Sequence, residues 1–410
     1  MKIAFVVPYV PNLIRIRSYQ LITHLLALGI EVYVFTVGSS SEDQRDADSL
    51  RTKCTELHYY DQPVWRSLLN CAAALPTNQP LQSVYSWQPD LARDLAEFLR
   101  GKQGSSHFDL VHVEHLRGSR FGIFIKSKFP TVPIVWDSVD SISYLFRQAS
   151  DRSRSVFGKL IPRLELRRTQ KAEGRLVCLF DHVLVTSAVD KRALLELVPA
   201  GYKPAPISVL SNGVDVDYYR PDPDVQRDSE TIVFSGKMSY HANISMVNYF
   251  AKEILPRIWQ SRPTVRFMIV GKDPPVEVQR MASNPLITVT GMVEDIRPYL
   301  WKAAIAVVPL LYGAGIQNKI LEAMASGTPV VSTPAVLASV TAVHGRELLI
   351  AENPEDFSRE ALRLLNSASL RQEISEAGLN YVKRNHNWRE VAFQLAEIYN
   401  QAVLAKKRIE

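Results

Sequence analysis

Short apolar runs recur along the chain. Each is followed by a longer stretch in which apolar residues return every three or four positions. In the first half the runs are Lys2–Val10, Glu31–Val37, Phe108–Val113, Pro133–Trp136 and His182–Ser187. In the second they are Thr231–Phe234, Val265–Val270, Ile287–Thr290, Ile305–Leu310 and Thr328–Ser332. Nearly continuous apolar runs of this kind predict strands buried on both faces. The stretches between them predict helices, among them Ser18–Leu28 (ended by Gly29), Ala188–Leu197 and a long helix from Asn385. Pro63–Arg100 gives helical patterns around Pro76 and Pro80, and Gly38–Leu50 reads as a polar loop. Such alternation makes parallel β-α-β units. The fold class is therefore α/β, with two Rossmann-like β/α/β domains. Prolines and glycines cluster between Pro199 and Pro206, and the boundary is drawn there. The expected domains are 1–205, 206–386 and a terminal helix over 387–410.

The stretch Ala303–Thr333 carries the most chemistry. Gly313 and Gly315 break the run Ile305–Leu310, and a helix is expected to open near Ile316 with Ile320, Leu321, Met324 and Ala325 on its packed face. Gly327 is placed to end it, ahead of the next strand. Free amides at a helix N-terminus after a parallel strand attract anions, above all phosphate. Lys319 falls in the first turn, where a cation opposes the helix dipole unless an anion also sits there. Glu322 follows on roughly the same face, and a carboxylate can accept two hydroxyl hydrogen bonds such as those of a ribose. The alternative is a surface Lys–Glu pair on an ordinary amphipathic helix.

Composition narrows the class. With 410 residues, 46% hydrophobic and 22% charged, the chain reads as an ordinary globular protein of two or three domains. Cys54, Cys71 and Cys178 are isolated, with no disulfide framework or zinc spacing, which fits a reducing cytoplasm. The start, MKIAFVVPYVP, lacks the pattern of a signal peptide, and no run reaches the roughly 18 apolar residues of a membrane span. Between Arg147 and Arg175 nine basic residues face three acidic ones, an excess equal to the whole chain's net charge of +6. In that segment Phe157, Leu160, Ile161 and Leu164 fall at helical spacing. This is the composition of a membrane-surface helix, and equally of a helix whose apolar stripe packs on its own domain. No nucleic-acid recognition motif accompanies the charge. The expectation is a cytoplasmic protein with peripheral contact to an anionic membrane, and no nucleic-acid partner.

The segment LEAMASGTPVV resembles the carboxyl-terminal signature of the family-4 retaining glycosyltransferases (glycosyl transferases group 1), which have the GT-B fold, and this implies two Rossmann-like domains facing a cleft. The resemblance covers nearly the whole chain, most specifically Val209–Val331. It implies that Glu322 holds the ribose of a sugar nucleotide. Donor-side contacts would come from Gly236, Lys237, Gly271, Gly291, Gly315, Ile316, Gln317, Asn318 and Lys319. Lys237 follows Gly236 where the family grips the donor diphosphate, and the alternative for it is an exposed loop lysine. Two departures stand out. The family's further glutamate, which contacts the donor sugar, is Ala314 here. Its second loop lysine is Ala242 or Asn243, and Lys319 is the cation expected to compensate. The family often has a histidine facing the sugar at the end of the Phe108 strand. Here the candidates are His115 and Glu114, adjacent residues that would point to opposite faces unless the strand has ended. Arg15, Arg17 and Asp137 are the acceptor-side candidates. For the arginines the alternative is two solvated loop residues, and for Asp137 it is a cap. The terminal helix would cross back to the first domain.

The expected activity is a hexosyltransferase moving sugar from a UDP- or GDP-sugar to a glycan or lipid-linked acceptor, in polysaccharide or glycoconjugate synthesis. No cofactor or metal is expected. Asp215 and Asp217 belong to a turn, Asn212-Gly213-Val214-Asp215, rather than to a metal-binding Asp-x-Asp. A nicotinamide enzyme is unlike this chain, because the strand after the Gly313 loop ends Ser332-Thr333-Pro334 with no acid for a ribose. A nucleotide-sugar epimerase of the same fold and a non-catalytic nucleotide-binding homologue remain as alternatives.

Overall fold

The structure is a computed structural model that describes residues 1–101, 108–152, 157–311 and 317–408, with no side-chain description over 149–152 and 157–164. The chain forms two compact units, Met1–Ser211 with Trp388–Glu410, and Asn212–Asn387.

The first unit begins with β1 (Lys2–Val7), α1 (Ile16–Ala27), β2 (Glu31–Gly38), α2 (Ser41–Arg51) and β3 (Glu56–Asp61). Three helices follow, α3 (Val64–Ala74), α4 (Leu81–Tyr85) and α5 (Pro89–Arg100). Next come β4 (Leu110–Glu114), α6 (His115–Lys128), β5 (Ile134–Val139), α7 (Ile142–Arg152), α8 (Phe157–Leu179), β6 (His182–Val185), α9 (Ala188–Leu195) and β7 (Ile207–Val209). The seven strands form one parallel sheet in the order β3-β2-β1-β4-β5-β6-β7. The order reverses between β1 and β4, and a parallel sheet offers its ligand crevice at the strands' carboxyl ends there. Ile3, Phe5 and Val7 on one face of β1 and Ala4 and Val6 on the other enter separate apolar clusters, as a sheet covered on both sides requires.

The second unit contains β8 (Asp228–Ser235), α10 (His241–Tyr249), α11 (Leu255–Ser261), β9 (Arg266–Val270), α12 (Val276–Gln279), β10 (Ile287–Val289) and α13 (Arg297–Lys302). It continues with β11 (Ala303–Val308), α14 (Asn318–Ala325), β12 (Val330–Ser332), β13 (Leu349–Ile350), α15 (Pro354–Asn366) and α16 (Ala368–Asn385). Its sheet is parallel in the order β10-β9-β8-β11-β12-β13 and reverses between β8 and β11. The last helix, α17 (Trp388–Lys407), belongs to the first unit, where Trp388, Val391, Leu395 and Tyr399 are buried with Ile3 and Leu21.

Two sequence expectations need correcting. Gly38–Leu50 is not a polar loop: Ser40 caps α2 by accepting from the Asp43 N–H, and Ala47 and Leu50 bury a narrow apolar face. Four acidic residues within that helix hid the face from a periodicity reading. The edge strand β3 also escaped notice, because only Leu57 of its six residues is buried. The apolar positions of the basic segment, Phe157, Leu160, Ile161 and Leu164, lie outside the described side chains.

Candidate functional site

In the second unit Gly236, Lys237, Lys319 and Glu322 lie near the β8/β11 reversal. Gly236 and Gly271 follow β8 and β9 directly, with φ near +150° at both. The Gly236 N–H donates to the Val270 carbonyl at 3.0 Å, and the Met238 N–H to the Lys272 carbonyl at 2.8 Å. A Cβ on Gly271 would overlap the Gly236 carbonyl, so only glycine fits there. A Cβ on Gly236 would lie 3.2 Å from Lys319 Cε and 2.8 Å from Asn243 Nδ2. The missing side chain at Gly236 is what lets the Lys319 stem approach the end of β8. Lys237 is exposed beside it.

α14 opens at Asn318, two residues later than expected, with Gln317 as its N-cap and Lys319 in its first turn. Its end is a Schellman turn: Gly327 has φ +67°, its N–H donates to Met324, and the Thr328 N–H donates to Ala323. Lys319 Nζ donates to Gln317 Oε1 at 3.1 Å and stands 5.8 Å from the Phe234 ring centroid. Burial pushes its ammonium down to about 8, while the Glu322 carboxylate pulls the other way. Burial raises Glu322, opposed by Lys319 and by a hydrogen bond from the Tyr219 hydroxyl. Both residues are half-buried beside the glycine turn, which speaks against a solvated surface pair. Asn318 accepts from Asn212 Nδ2 at 3.2 Å. Gly315 and Ile316 lie outside the described residues, as does Ala314. Gly291 follows the edge strand β10, two strands from the reversal, and has φ +70° with open space where a Cβ would stand.

Two contributors had gone unrecognised. Asn243 occupies a place where a second cation was sought, and its Nδ2 donates to the Lys237 carbonyl at 2.8 Å while its buried Oδ1 has no hydrogen-bond partner among the described residues. Arg227 holds the far end of α14 through the carbonyls of Ser326, Gly327 and Ala303. Nothing in the local pattern marks Arg227, an isolated cation before β8. Asp215 Oδ1 accepts from the Asp217 and Tyr218 N–H groups, which makes it a turn cap.

In the first unit the candidates meet at the β1/β4 reversal. β4 ends at Glu114 and α6 starts at His115 with no loop between them. His115 takes φ +62°, a strained value for a histidine, so strand alternation has stopped where the two residues part. Glu114 is buried, accepts from the Tyr9 hydroxyl at 2.5 Å, and is pushed up to about 7 by burial and then by Asp137. His115 is held down to about 4 by burial and by Arg117, and is therefore neutral near pH 7. His112 turns inward: it stacks on Phe5 and hydrogen-bonds the Tyr399 hydroxyl at 2.8 Å.

Arg17 is in α1 rather than in a loop, and it is not solvated. Its Nε and Nη2 both lie 2.9 Å from Asp137 Oδ2, and its Nη1 donates to the Ser211 carbonyl at 3.3 Å. Asp137 Oδ1 also accepts from the Val139 N–H. Two of the three acceptor-side candidates, Arg17 and Asp137, thus form a buried pair with each other. Arg15 is exposed, 3.3 Å from Asp43 Oδ1 and stacked over Tyr9. Glu173, one of the three acids set against the basic segment, accepts from the Ile142 and Ser143 N–H groups and so caps α7.

Two parallel α/β units of this topology define a GT-B-type fold. The structure resembles sucrose-phosphate synthase from Thermosynechococcus elongatus with a TM-score of 0.67 at 18% identity, covering 99% of this chain and 100% of that one. Anabaena HepE, in complex with UDP and glucose, gives a TM-score of 0.67 at 14% identity over 98% of this chain and 99% of that one. Two family models match: "Glycosyltransferase Family 4" over residues 16–218 and "Glycosyl transferases group 1" over 229–367. The chain belongs to this glycosyltransferase family. One subunit of the Homo sapiens phosphatidylinositol N-acetylglucosaminyltransferase is 27% identical over 237 residues, 55% of this chain and 47% of that protein. The chain thus spans about half the length of that relative. The D-inositol 3-phosphate glycosyltransferase of Frankia alni is 24% identical over 95% of this chain and 94% of its own.

Proposed function

We propose that the protein is a retaining glycosyltransferase that takes a sugar from a UDP- or GDP-sugar and places it on a glycan or lipid-linked acceptor. The observation that carries this reading is Lys319: a partly desolvated cation, over a glycine turn, at the point where a parallel sheet offers its crevice. Burial of that cation is only partly offset by Glu322 and Gln317, and a diphosphate would compensate the rest. Glu322 takes the ribose hydroxyls. Lys319, Lys237 and the first amides of α14 hold the diphosphate.

In the transfer the bond between the sugar's anomeric carbon and the phosphate oxygen breaks. The acceptor oxygen forms the new bond on the same face, and its proton goes to the released phosphate. Charge grows on the departing diphosphate, where the two lysines stabilise it electrostatically. His115, neutral and at a strained strand end, is offered to the sugar or acceptor hydroxyls, with Glu114 behind it. A lipid-linked acceptor implies peripheral contact with an anionic membrane, which belongs to the same reading.

The experiment is a thermal-shift screen of nucleotide sugars, followed by incubation of the best binder with and without candidate acceptors. Transfer with retention supports the reading. An isomerised donor without acceptor points to an epimerase, and tight binding with no turnover to a binding homologue.

A further inference from the structure

The helix α3 is built inside out. Its polar residues face the protein: Ser67 is buried and bonded to Gln62 Nε2 at 3.2 Å, and Asn70 Nδ2 donates to the Trp87 carbonyl at 2.9 Å. Its large apolar residues face outward, with Trp65 62%, Leu68 60% and Leu69 60% exposed, and Val64 and Leu75 more than half exposed. A helix covered by its own domain buries the apolar stripe instead. A contiguous exposed apolar patch of this kind marks a surface that meets something.

The neighbouring surface says what it meets. α8 lies beside the end of α3, tied to it by Arg168 Nη2, which donates to the Leu75 carbonyl at 2.7 Å. Glu165 of α8 accepts from the Leu81 N–H at 2.9 Å. Along α8 the cations Arg167, Lys171 and Arg175 recur every fourth residue, all exposed, and none is in an ion pair with a described residue. Lys171 and Arg175 line two adjoining cavities of about 920 and 340 Å³. The smaller is closed by the α3–α4 turn (Asn78 to Pro80) and by Ile123. Exposed Leu179 and Tyr202 flank the same cations.

An apolar helix face with a tryptophan, next to a row of exposed cations, is complementary to one surface in particular. Resting on the membrane-contact part of the reading above, we propose that this face docks on an anionic lipid bilayer. α3 seats Trp65, Leu68 and Leu69 at the level of the headgroups and upper acyl chains, and Arg167, Lys171 and Arg175 take the lipid phosphates. Arg168 is excluded from that row, because it is used to hold Leu75 and Glu165.

Flotation of the full chain with vesicles tests this without donor or acceptor, so its outcome is separable from that of the transferase reading. Vesicles of phosphatidylcholine alone and with added phosphatidylglycerol are compared at low and high salt. Binding should require the anionic lipid and weaken with salt. Each neutralised cation should weaken it roughly fivefold, the equivalent of about 1 kcal/mol per charge near the surface. Leu68→Glu/Leu69→Glu should abolish it, and Trp65 fluorescence should be quenched by brominated acyl chains in the parent but not in Trp65→Phe. Thermal unfolding of each variant, expected to match the parent because these side chains are exposed, shows that folding is retained. Indifference to lipid charge, or unchanged binding by the folded variants, overturns the inference. So does full competition by soluble glycerol phosphate (a free-phosphate site), or a dimer broken by Leu68→Glu/Leu69→Glu without vesicle binding.

Discussion

The Tyr9 hydroxyl donates to Glu114 Oε1 at 2.5 Å where β1 and β4 diverge, which places a buried carboxyl at the crevice of the first sheet. Its proton is held to about 7 in the folded chain, against an ordinary value of 4.5. Between those pH values the folded state binds more protons than the unfolded one, so Glu114 lowers stability as pH rises through that window and leaves it lowered above. Glu114→Gln should therefore gain stability over the parent from about pH 4.5 upward, with the gain complete beyond about 7. Thermal unfolding of both proteins between pH 4.5 and 8 measures this. Parallel curves across the whole range would show that Glu114 ionises freely.

The contact between Gly271 and Gly236 makes a second prediction. Gly271→Ala forces a Cβ onto the Gly236 carbonyl at a backbone angle that side chains rarely adopt. Strain and overlap together should cost roughly 2–6 kcal/mol. Gly291→Ala removes the same kind of residue where there is open space, so it keeps the strain without the overlap and should cost about 1 kcal/mol. Denaturant unfolding of the pair separates the two effects. Equal losses would mean that the close approach of β8 and β9 carries no weight.

Transfer should persist in excess chelator. The diphosphate is expected to meet its counter-charge in Lys319 and Lys237, and Asp215 is occupied with its own turn. Radiolabelled sugar transfer with and without chelator is the assay. Complete loss, restored by magnesium or manganese, would return Asp215 and Asp217 to consideration.

The sheets were legible because their central strands, such as β1, β4, β8 and β11, are buried on both faces and leave uninterrupted apolar runs. The exceptions are instructive. β3 is an edge strand with one buried residue, and β13 is two residues long, so neither has a pattern to read. The local setting of Gly236 and Lys319 was legible, since the first sits at the end of a strand and the second in the first turn of a helix, whereas Glu322, in the middle of α14, stood out only through the resemblance. What escaped were partnerships across long separations. Arg17 and Asp137 are 120 positions apart, and Asn212 and Asn318 are 106 apart. No periodicity links such residues. The outward apolar face of α3 was also hidden, because a helical stripe in a sequence looks the same whichever way it points.

The last prediction concerns the cation that opposes its own helix. Lys319 is held down to about 8 by burial, against an ordinary 10.5. Below pH 8 both folded and unfolded chains carry this proton, and the folded state bears the full penalty of burying the charge. Between 8 and 10.5 the unfolded chain binds more protons, so stability rises with pH. Lys319→Met keeps the stem over Gly236 and removes the charge. At pH 7 it should raise the melting temperature of the unliganded protein while weakening nucleoside diphosphate binding by about 2–5 kcal/mol, the usual cost of truncating one partner of a buried charge pair. Turnover should fall further than binding, because the leaving diphosphate gains charge in the transition state. The bare nucleoside, which has no phosphate for Lys319 to meet, should bind Lys319→Met as it binds the parent. Glu322→Ala should give the opposite pattern, losing nucleoside and diphosphate alike through the ribose. Tyr219→Phe should give a weaker version, because Tyr219 acts by holding Glu322. Calorimetry with nucleoside, diphosphate and sugar nucleotide on the three folded variants distinguishes these roles. If Lys319→Met binds diphosphate as tightly as the parent, the lysine is only a buried helix residue, and the counter-charge for the donor must be sought in Lys237.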